Sequence, residues 1–404
     1  MFKPYSSYRS LATAFTAGVL SLAACGGSGD TPAAAANASA SALDDRTVSG
    51  LNLIGTQVIA RRTVFQDTVI GGLSGVDYDE ANKRFVFISD DRTTTDSPNA
   101  PRMYTANLKY DATVFSGVTF LSTFKMKQPN GSDYPKLPDA AVADPEAVRI
   151  DPVTGNLLWV SEGDRSPTAT PPRVINPFIR EIRPDSTHVR DYTLPPMFAM
   201  SSTDVGPRGN AVFEGLTFTP DKTKAVVIME GALFQDGLPP TNATGAVSRI
   251  SVFDRATGFV TAQYAYPIDS VQVAPVPAGQ FTVNGPTEIL ALSNTCFLVL
   301  ERSFSVGVVG NQVRLYEINI AAATNVLTTP ALAGASYTPV TKKLVLNFET
   351  LKGRVGNIAN LEGMTFGPRL PNGRDTLVVV ADDNFPTADS ETDRNQIFLF
   401  EVLQ

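Results

Sequence analysis

The stretch NLEGMTF (360–366) places a single glutamate inside an apolar run that is otherwise typical of a buried β-strand. Closely similar phrases occur earlier in the chain, and they are GGLSGVDYD (71–79), DPEAVRI (144–150), VFEGLTF (212–218) and GPTEILAL (285–292). When the five phrases are aligned, GGLSGVDYD has Ser74 at the position where each of the others has a glutamate. From one phrase to the next along the chain, this aligned position moves by 72, 68, 74 and 74 residues. This regular self-similarity predicts a fold built from repeated units.

Each unit continues in the same way after this phrase. A turn leads to an apolar run that ends in acidic residues, as in RFVFISDDR (84–92) and TLVVVADDN (376–384). A variable loop then leads to a third run that often starts with arginine, as in VRLYEINI (313–320). The runs are short, lack a 3.6-residue period and are rich in β-branched and aromatic residues. The sequence therefore predicts an all-β fold, a five-bladed β-propeller, with a sixth blade hidden in the long units as the alternative.

The last unit reaches the C-terminus after only three strands. Strand-like sequence that belongs to no unit lies between Leu51 and Ile70. We expect one strand from this segment to complete the last blade and close the ring.

The N-terminus is expected to be a targeting segment. Residues 1–24 contain two basic residues and then an apolar run too short to span a bilayer, which is typical of a signal peptide. The run ends in Leu-Ala-Ala before Cys25, which resembles a bacterial lipobox with Cys25 as the lipidated residue. Residues 25–46 read as a flexible tether and 47–404 as the propeller domain. We expect export across the inner membrane and a lipid anchor at the outer membrane or periplasmic face as the only membrane attachment.

Composition narrows the range of functions. The net charge of −7 argues against nucleic acid as a partner and is compatible with cation binding. The single histidine, His188, lies in a polar stretch, so histidine phosphatases, Ser-His-Asp hydrolases and multi-histidine zinc sites are disfavoured. Lipidation of Cys25 would leave Cys296 without a disulfide partner inside the chain. We expect a monomer.

The repeated acids are the candidate functional feature. The first strand of a propeller blade lines the central channel, so the glutamates are expected to converge there, with the acids of the second strands on the same rim. Buried carboxylates are costly unless something neutralises them. A cation such as Ca²⁺, with Mg²⁺ or Mn²⁺ as alternatives, or the recurring arginines would do so. The alternative interpretation is that glutamate and arginine only bind one blade to the next.

The chain also resembles a known family. The phrases GLSGVDYD, DPEAVRIDP, FEGLTFTPD, NLEGMTF and VVADDN, in this order, are similar to the phytase-like domain family, which is described as "esterase-like activity of phytase". The resemblance covers about residues 65–403. It implies a phosphoester hydrolase acting on a small phosphorylated molecule or a phosphodiester, with function in the repeated acids. The first unit departs from the pattern at Ser74, so its blade is expected to contribute less.

Together these arguments predict a set of site residues. The predicted catalytic residues are Glu214, Glu288, Glu362 and Arg302. The predicted substrate-binding residues are Arg92, Arg249, Arg314 and Arg394. The predicted metal ligands are Glu146, Glu162, Glu230, Glu301, Asp90, Asp91, Asp382 and Asp383.

Two other functions stay open on the sequence. One is a non-catalytic surface propeller that binds a ligand or a protein, in which the acids are structural. The other is a calcium-dependent, lactonase-like hydrolase, because one fold supports several chemistries. Metal content separates the first from the two hydrolases, and the substrate profile separates the hydrolases from each other.

Overall fold

The computed structural model describes residues 45–92 and 99–404, whose regular structure consists almost entirely of antiparallel strands. The predicted signal peptide, Cys25 and nearly all of the predicted tether lie outside the described residues. In the described part of the chain, no helix is long and apolar enough to cross a membrane.

The strands form five sheets of four strands each, together with two short hairpins. The chain starts with β1 (Gly50–Ile59) and the hairpin β2 (Val64–Phe65) and β3 (Thr68–Val69). Blade 1 contains β4 (Leu73–Asp79), β5 (Arg84–Ser89), β6 (Arg102–Tyr110) and β7 (Phe115–Lys125). Blade 2 and its inserted hairpin contain β8 (Pro145–Ile150), β9 (Leu157–Ser161), β10 (Asp164–Ser166), β11 (Arg173–Ile175), β12 (Phe178–Ile182) and β13 (His188–Asp191).

The remaining blades follow the same order from the axis outward. Blade 3 contains β14 (Phe213–Phe218), β15 (Lys224–Met229), β16 (Ala246–Asp254) and β17 (Val260–Ile268). Blade 4 contains β18 (Thr282–Ala291), β19 (Cys296–Ser305), β20 (Gln312–Asn319) and β21 (Thr341–Asn347). Blade 5 contains β22 (Asn360–Gly367), β23 (Thr376–Asp382) and β24 (Asn395–Leu403). The helical segments are 3-10 turns at Pro196–Phe198, Phe234–Asp236 and Phe348–Leu351, and one short helix, α1 (Lys352–Val355).

The ring closes between the two ends of the domain, as predicted. Strand β1 pairs antiparallel with β24 and supplies the outermost strand of blade 5. The inner strands β4, β8, β14, β18 and β22 contact one another in that order around the axis, and β22 returns to β4. The five-bladed propeller is therefore confirmed, and the described residues contain no sixth blade. The length of the units comes from loops and from the hairpin β10–β11.

The hydrophobic cores lie between neighbouring blades. One cluster joins blades 4 and 5 through Leu300, Met364 and Phe398. There Phe348 packs edge-on against Phe398 and Phe400, with ring centroids 5.6 and 5.8 Å apart. Because both faces of a blade are covered, the middle strands are apolar without alternation, as the sequence indicated.

Because β1 closes the ring, the free energy of unfolding is expected to depend on the buried side chains of this strand. Leu53 is buried in the core between blades 4 and 5, whereas Val58 on the same strand is 49% exposed. We expect Leu53→Ala to lower the free energy of unfolding by about 2–4 kcal/mol, because a cavity replaces the isobutyl group. The matched change Val58→Thr is expected to stay within about 0.5 kcal/mol. Urea unfolding of both variants is the measurement, and equal midpoints would show that β1 does not hold the ring.

Candidate metal and substrate site

Each inner strand contains a β-bulge near its upper end, the end at which the second strand finishes. The pairing with the second strand shifts by one or two residues there, at Ser74, at Glu146 and Ala147, at Glu214, at Thr287 and at Glu362. A bulge inserts a residue without a ladder partner and re-aims its side chain. In three blades that side chain is a buried glutamate, which answers why an acid is placed in an apolar strand.

The fourth unit follows a different register from the one that the sequence predicted. Thr287 occupies the bulge position, and Glu288 lies one residue further on, where Gly215 and Gly363 lie in blades 3 and 5. Arg302 follows Glu301 in β19. It occupies the position in blade 4 that corresponds to Glu230, which follows β15, in blade 3. The alignment on Glu288 and Glu301 is therefore wrong by one residue, because an adjacent glutamate in each strand imitated the repeat.

The three bulge glutamates and residues at the ends of the second strands line one cavity of about 430 Å³, which we call the upper cavity. Seven of the predicted acids line its wall, and they are Asp90, Glu146, Glu162, Glu214, Glu230, Glu362 and Asp382. Two of the predicted arginines, Arg92 and Arg302, line it as well. The predicted convergence of acids from different blades on the axis is thus present in the structure.

Two groups of three carboxylates have the spacing of a cation site. Ligand oxygens of Asp144, Glu146 and Glu162 lie within 4.8 Å of one another, and so do those of Glu162, Glu214 and Glu230. Glu162 belongs to both groups, which we call triad 1 and triad 2. One oxygen of Glu162 accepts a 2.6 Å hydrogen bond from the backbone N–H of Val212, so this shared carboxylate is fixed in place.

Triad 1 lacks a hydrogen-bond donor for part of its oxygens. Asp144 is 2% exposed, and its Oδ1 has no hydrogen-bond partner among the described residues, although Oδ2 lies 2.8 Å from Nη1 of Arg92. In the neighbouring blade 1, Oδ1 of Asp90 is buried without a partner too. A buried carboxylate oxygen with no donor is costly, so these atoms require either a proton or a cation.

Electrostatics in the triads favour shared protons when no cation is bound. Burial raises the pKa of Asp144 to about 7, against the opposing effect of Arg92. Burial also raises the pKa of Glu162 to about 7, against a hydrogen bond from Glu214. Burial and the neighbouring carboxylates hold the pKa values of Glu146 and Glu214 well above their ordinary range. Each triad therefore holds a protonated carboxyl group beside a carboxylate near neutral pH.

Arg302 supplies positive charge on the side of blade 4. Its Nη2 lies 3.3 Å from Oε1 of Glu230 and 3.3 Å from Oε1 of Glu362. Glu362 also accepts a 2.7 Å hydrogen bond from Nδ2 of Asn360. The guanidinium group thus links blades 3 and 5, and its Nε is buried without a hydrogen-bond partner among the described residues.

Glu288 does not lie in the upper cavity and instead fills the channel below it. Its Oε2 accepts a 2.8 Å hydrogen bond from Nη2 of Arg149, and its Oε1 accepts from the N–H groups of Leu216 and Ile289 at 3.1 and 2.9 Å. Both side chains are almost completely buried. The predicted catalytic position of Glu288 is therefore corrected to a structural plug formed with Arg149.

Three predicted metal ligands are also placed outside the cavity. Glu301 is fully buried between blades 3 and 4, where Tyr266, Asn284 and Lys342 donate hydrogen bonds of 2.8, 2.8 and 2.6 Å to it. Asp91 accepts hydrogen bonds from Asn99. Asp383 accepts hydrogen bonds from Gly72 and Asn395. Asp91 and Asp383 directly follow Asp90 and Asp382, and adjacent residues in an extended chain point in opposite directions.

Three predicted substrate-binding arginines lie away from the cavity. Arg249 is fully buried in a bidentate pair with Asp236, Arg314 lies 3.5 Å from Asp269, and Arg394 donates to the carbonyl of Asn357. All three belong to or precede third strands, which lie two strand spacings, about 10 Å, from the inner strands. The shared position of these arginines in the repeat does not bring them to the axis.

Asp144 is the site residue that the sequence prediction missed. It precedes β8 in the phrase DPEAVRI and was within two residues of a predicted ligand, but the other units have no acid at this position. Asn360 was missed for the same reason, since it is specific to blade 5. A repeat alignment finds only what the units share.

Comparisons with known proteins identify one family for this chain. The phytase-like family model, described as "Esterase-like activity of phytase", matches residues 68–385. No curated protein matches the chain significantly. Among solved structures, the chain is similar to an endo-arabinase from Bacteroides thetaiotaomicron VPI-5482, with 8% identity, a TM-score of 0.41, and coverage of 83% of this chain and 95% of that chain.

Two further solved structures show the same level of similarity. The periplasmic gluconolactonase PpgL from Pseudomonas aeruginosa has 12% identity and a TM-score of 0.35, with 83% of this chain and 90% of that chain covered. The PQQ-bound aldose sugar dehydrogenase from Streptomyces coelicolor has 12% identity and a TM-score of 0.36, with 89% of this chain and all of that chain covered.

The raised pKa values predict how stability depends on pH without a cation. A carboxyl group whose pKa is higher in the folded chain binds more protons folded than unfolded, so stability falls as the pH rises between the two values. Asp144 and Glu162, with ordinary values near 4 and folded values of about 7, place this loss between pH 5 and 8. We expect the free energy of unfolding in EDTA to fall by about 3–5 kcal/mol over this interval.

Urea unfolding in EDTA at pH 5 and pH 8 is the measurement. Glu162→Gln is expected to weaken the pH dependence, because a neutral amide replaces one of the two groups. Glu80→Gln, at an exposed glutamate far from the triads, should keep it. A parent protein that is equally stable or more stable at pH 8 would contradict this account of the acids.

The plug predicts a different behaviour for Glu288. We expect Glu288→Ala to lower the free energy of unfolding by about 3–5 kcal/mol, because Arg149 loses its counter-charge inside the channel. Cation uptake by the folded variant should equal that of the parent, because Glu288 belongs to neither triad. Urea unfolding and calorimetric titration with Ca²⁺ test both statements. Parent-like stability together with lost Ca²⁺ uptake would place Glu288 among the ligands after all.

Proposed function

The chain belongs to the phytase-like family, and on that premise we propose that it is a metal-dependent phosphoester hydrolase whose site is the upper cavity. The observation behind this proposal is the pair of triads that share Glu162, together with the oxygen of Asp144 in triad 1 that has no hydrogen-bond donor. Glu301, which lies outside the cavity, is by contrast satisfied by three side-chain donors and a backbone N–H group.

The ligand types fit Ca²⁺ better than a transition metal. Both triads offer carboxylate oxygens alone, which hard cations prefer, and neither contains histidine or cysteine. The cavity wall has eight carboxyl groups and two guanidinium groups, so positive charge is in short supply. Ca²⁺ accepts six to eight oxygens in flexible geometry, whereas Mg²⁺ demands a regular octahedron and keeps several waters. Ca²⁺ is therefore our first choice, with Mg²⁺ or Mn²⁺ as alternatives.

When bound, such a cation offsets the charge of the carboxylates and polarises a phosphoryl oxygen or a water molecule. Asp144, Glu146 and Glu162 would hold one cation, and Glu162, Glu214 and Glu230 a second. We therefore assign Glu214 to the cation and not to proton transfer.

Residues beside triad 2 have the properties needed to handle the substrate. Arg302 would hold an oxygen of the phosphoryl group, because its guanidinium group forms charge-assisted hydrogen bonds in a site with little water. Glu362 would take the proton of the attacking water at its carboxylate, since burial raises its pKa towards the working range of a general base. Asn360 and Arg302 fix its position by hydrogen bonds.

The dimensions of the cavity support a small substrate. A volume of about 430 Å³ accommodates a phosphorylated small molecule or the scissile part of a phosphodiester. The acidic wall disfavours a nucleic acid polymer, whose phosphates need a basic surface. Export and anchoring at Cys25, and a monomeric state, belong to the proposal on the strength of the sequence alone.

The shared ligand provides the sharpest test. We expect calorimetric titration of the EDTA-treated parent to show uptake of two Ca²⁺ ions per chain and a higher melting temperature after uptake. Glu162→Gln should weaken uptake at both positions by at least about tenfold and remove hydrolysis of bis(4-nitrophenyl) phosphate. Glu391→Gln, at an exposed acid outside both triads, is the control.

Either of two outcomes would count against the proposal. A parent that takes up no Ca²⁺, Mg²⁺ or Mn²⁺ and melts alike with and without EDTA would make the acids structural and favour a non-catalytic binding propeller. A parent that takes up the cation and cleaves lactones but no phosphoester would favour the lactonase-like alternative.

A further inference from the structure

The first two strands of blade 4 extend further along the propeller axis, beyond the level of the bulges, than the first two strands of the other blades. Strand β18 starts five residues before its bulge at Thr287, whereas β4, β8, β14 and β22 start one or two residues before theirs. At about 3.3 Å per residue, the additional three or four residues raise this hairpin by about 10–13 Å. It therefore forms one wall of the upper cavity.

The front of this wall is apolar. Phe281, Val283 and Phe304 line the cavity, and Val283 pairs directly with Phe304 across the two strands. The rings of Phe281 and Phe304 are 6.3 Å apart, and Phe281 is 64% exposed. Arg302 is two residues from Phe304 on the same strand, so both side chains are on the cavity face. An exposed aromatic surface directly beside the proposed phosphoryl-binding arginine is the feature that calls for a ligand.

The back of the wall is polar and held in place. Asn284 donates to the carbonyl of Asp269 and to Glu301, at 2.9 and 2.8 Å. Ser303 accepts from the N–H of Gln272 at 3.1 Å, and Ser305 donates to the carbonyl of Val273 at 2.5 Å. The apolar front is thus exposed because the hairpin is fixed from behind, and a ligand meets a preformed surface.

Among the described residues, the other walls offer no apolar surface for an uncharged organic group. They consist mainly of the acids of the triads and of Asp90, Glu362 and Asp382. A hydrocarbon pressed against these carboxylates would remove their water without replacing its hydrogen bonds. Only the side of blade 4 combines apolar surface with access to the triads and Arg302.

We propose that the wall formed by Phe281, Val283 and Phe304 binds the aromatic or otherwise flat apolar part of the substrate, so that the site selects aryl phosphoesters over small alkyl ones. This proposal rests on the proposed function for the position of the phosphoryl group. Phe281 acts as a specificity-determining residue, because its ring is the most exposed part of the wall and stacks on the organic group.

Two phosphonates that cannot be hydrolysed test the wall separately from catalysis. Phenylphosphonate and methylphosphonate have the same anionic group and differ only in the organic part. In calorimetric titrations of the Ca²⁺-loaded full chain, we expect phenylphosphonate to bind about tenfold more tightly, which corresponds to about 1.4 kcal/mol. Phe281→Ala should remove this preference and leave the affinity for methylphosphonate unchanged, and Phe281→Tyr should retain it.

Phe259→Ala is the matched control, because Phe259 is 58% exposed and does not line the cavity. Equal binding of the two phosphonates by the parent, or a preference that survives Phe281→Ala, would overturn the inference even if the protein hydrolyses phosphodiesters. A preference that depends on Phe281 in a protein without hydrolytic activity would support binding of the organic group by the wall and contradict the proposed hydrolase function. Failure of both phosphonates to bind would contradict the proposed role of the wall.

Discussion

Repulsion among carboxylates at the upper end of the channel is the constraint around which the site is organised. Like charges a few ångströms apart and out of water repel by several kcal/mol, so the acids of four blades cannot all be ionised without counter-charge. The protein offsets part of this with Arg92 and Arg302, and shared protons offset another part, as the raised pKa values of Glu146 and Glu214 show. The remaining deficit is concentrated at the triads, which is why they are the expected place for a cation.

Below the upper cavity, the channel is closed by a carboxylate that does have a counter-charge. Inner strands approach so closely there that a Cβ atom on Gly215 would lie 2.5 Å from the backbone of Ile289, and one on Gly363 would lie 2.8 Å from that of Ser74. Glu288 replaces glycine at this level, and its carboxylate receives Arg149 and backbone N–H groups. A carboxylate with a charge partner and backbone donors can be fully buried, whereas the acids above it lie next to a cavity. The plug thus confines the proposed chemistry to one end of the channel.

The sequence was sufficient for the fold because the repeat, the short apolar runs and the incomplete last unit all depend on local patterns. It was also sufficient for Glu146, Glu214 and Glu362, whose positions follow from the shared phrase and which all line the upper cavity. It failed where position depends on register. A bulge is invisible in the sequence, so the pair Thr287-Glu288 was read with the wrong residue on the axis. Arg249 failed for a different reason, since its partner Asp236 lies in a loop outside the repeat.

Blade 4 departs from the repeat at several neighbouring positions, and this has a consequence for function. A ring of five identical acidic pairs would attract cations but would give a substrate no preferred orientation. Blade 4 replaces the bulge acid by Thr287 and the second acid by Arg302, and adds an apolar hairpin above them. The proposed site then has a side for a cation, an arginine for an anion and an apolar wall in fixed relative positions. These three features define a direction across the cavity, so that an ester with one anionic and one organic part would fit in a single orientation.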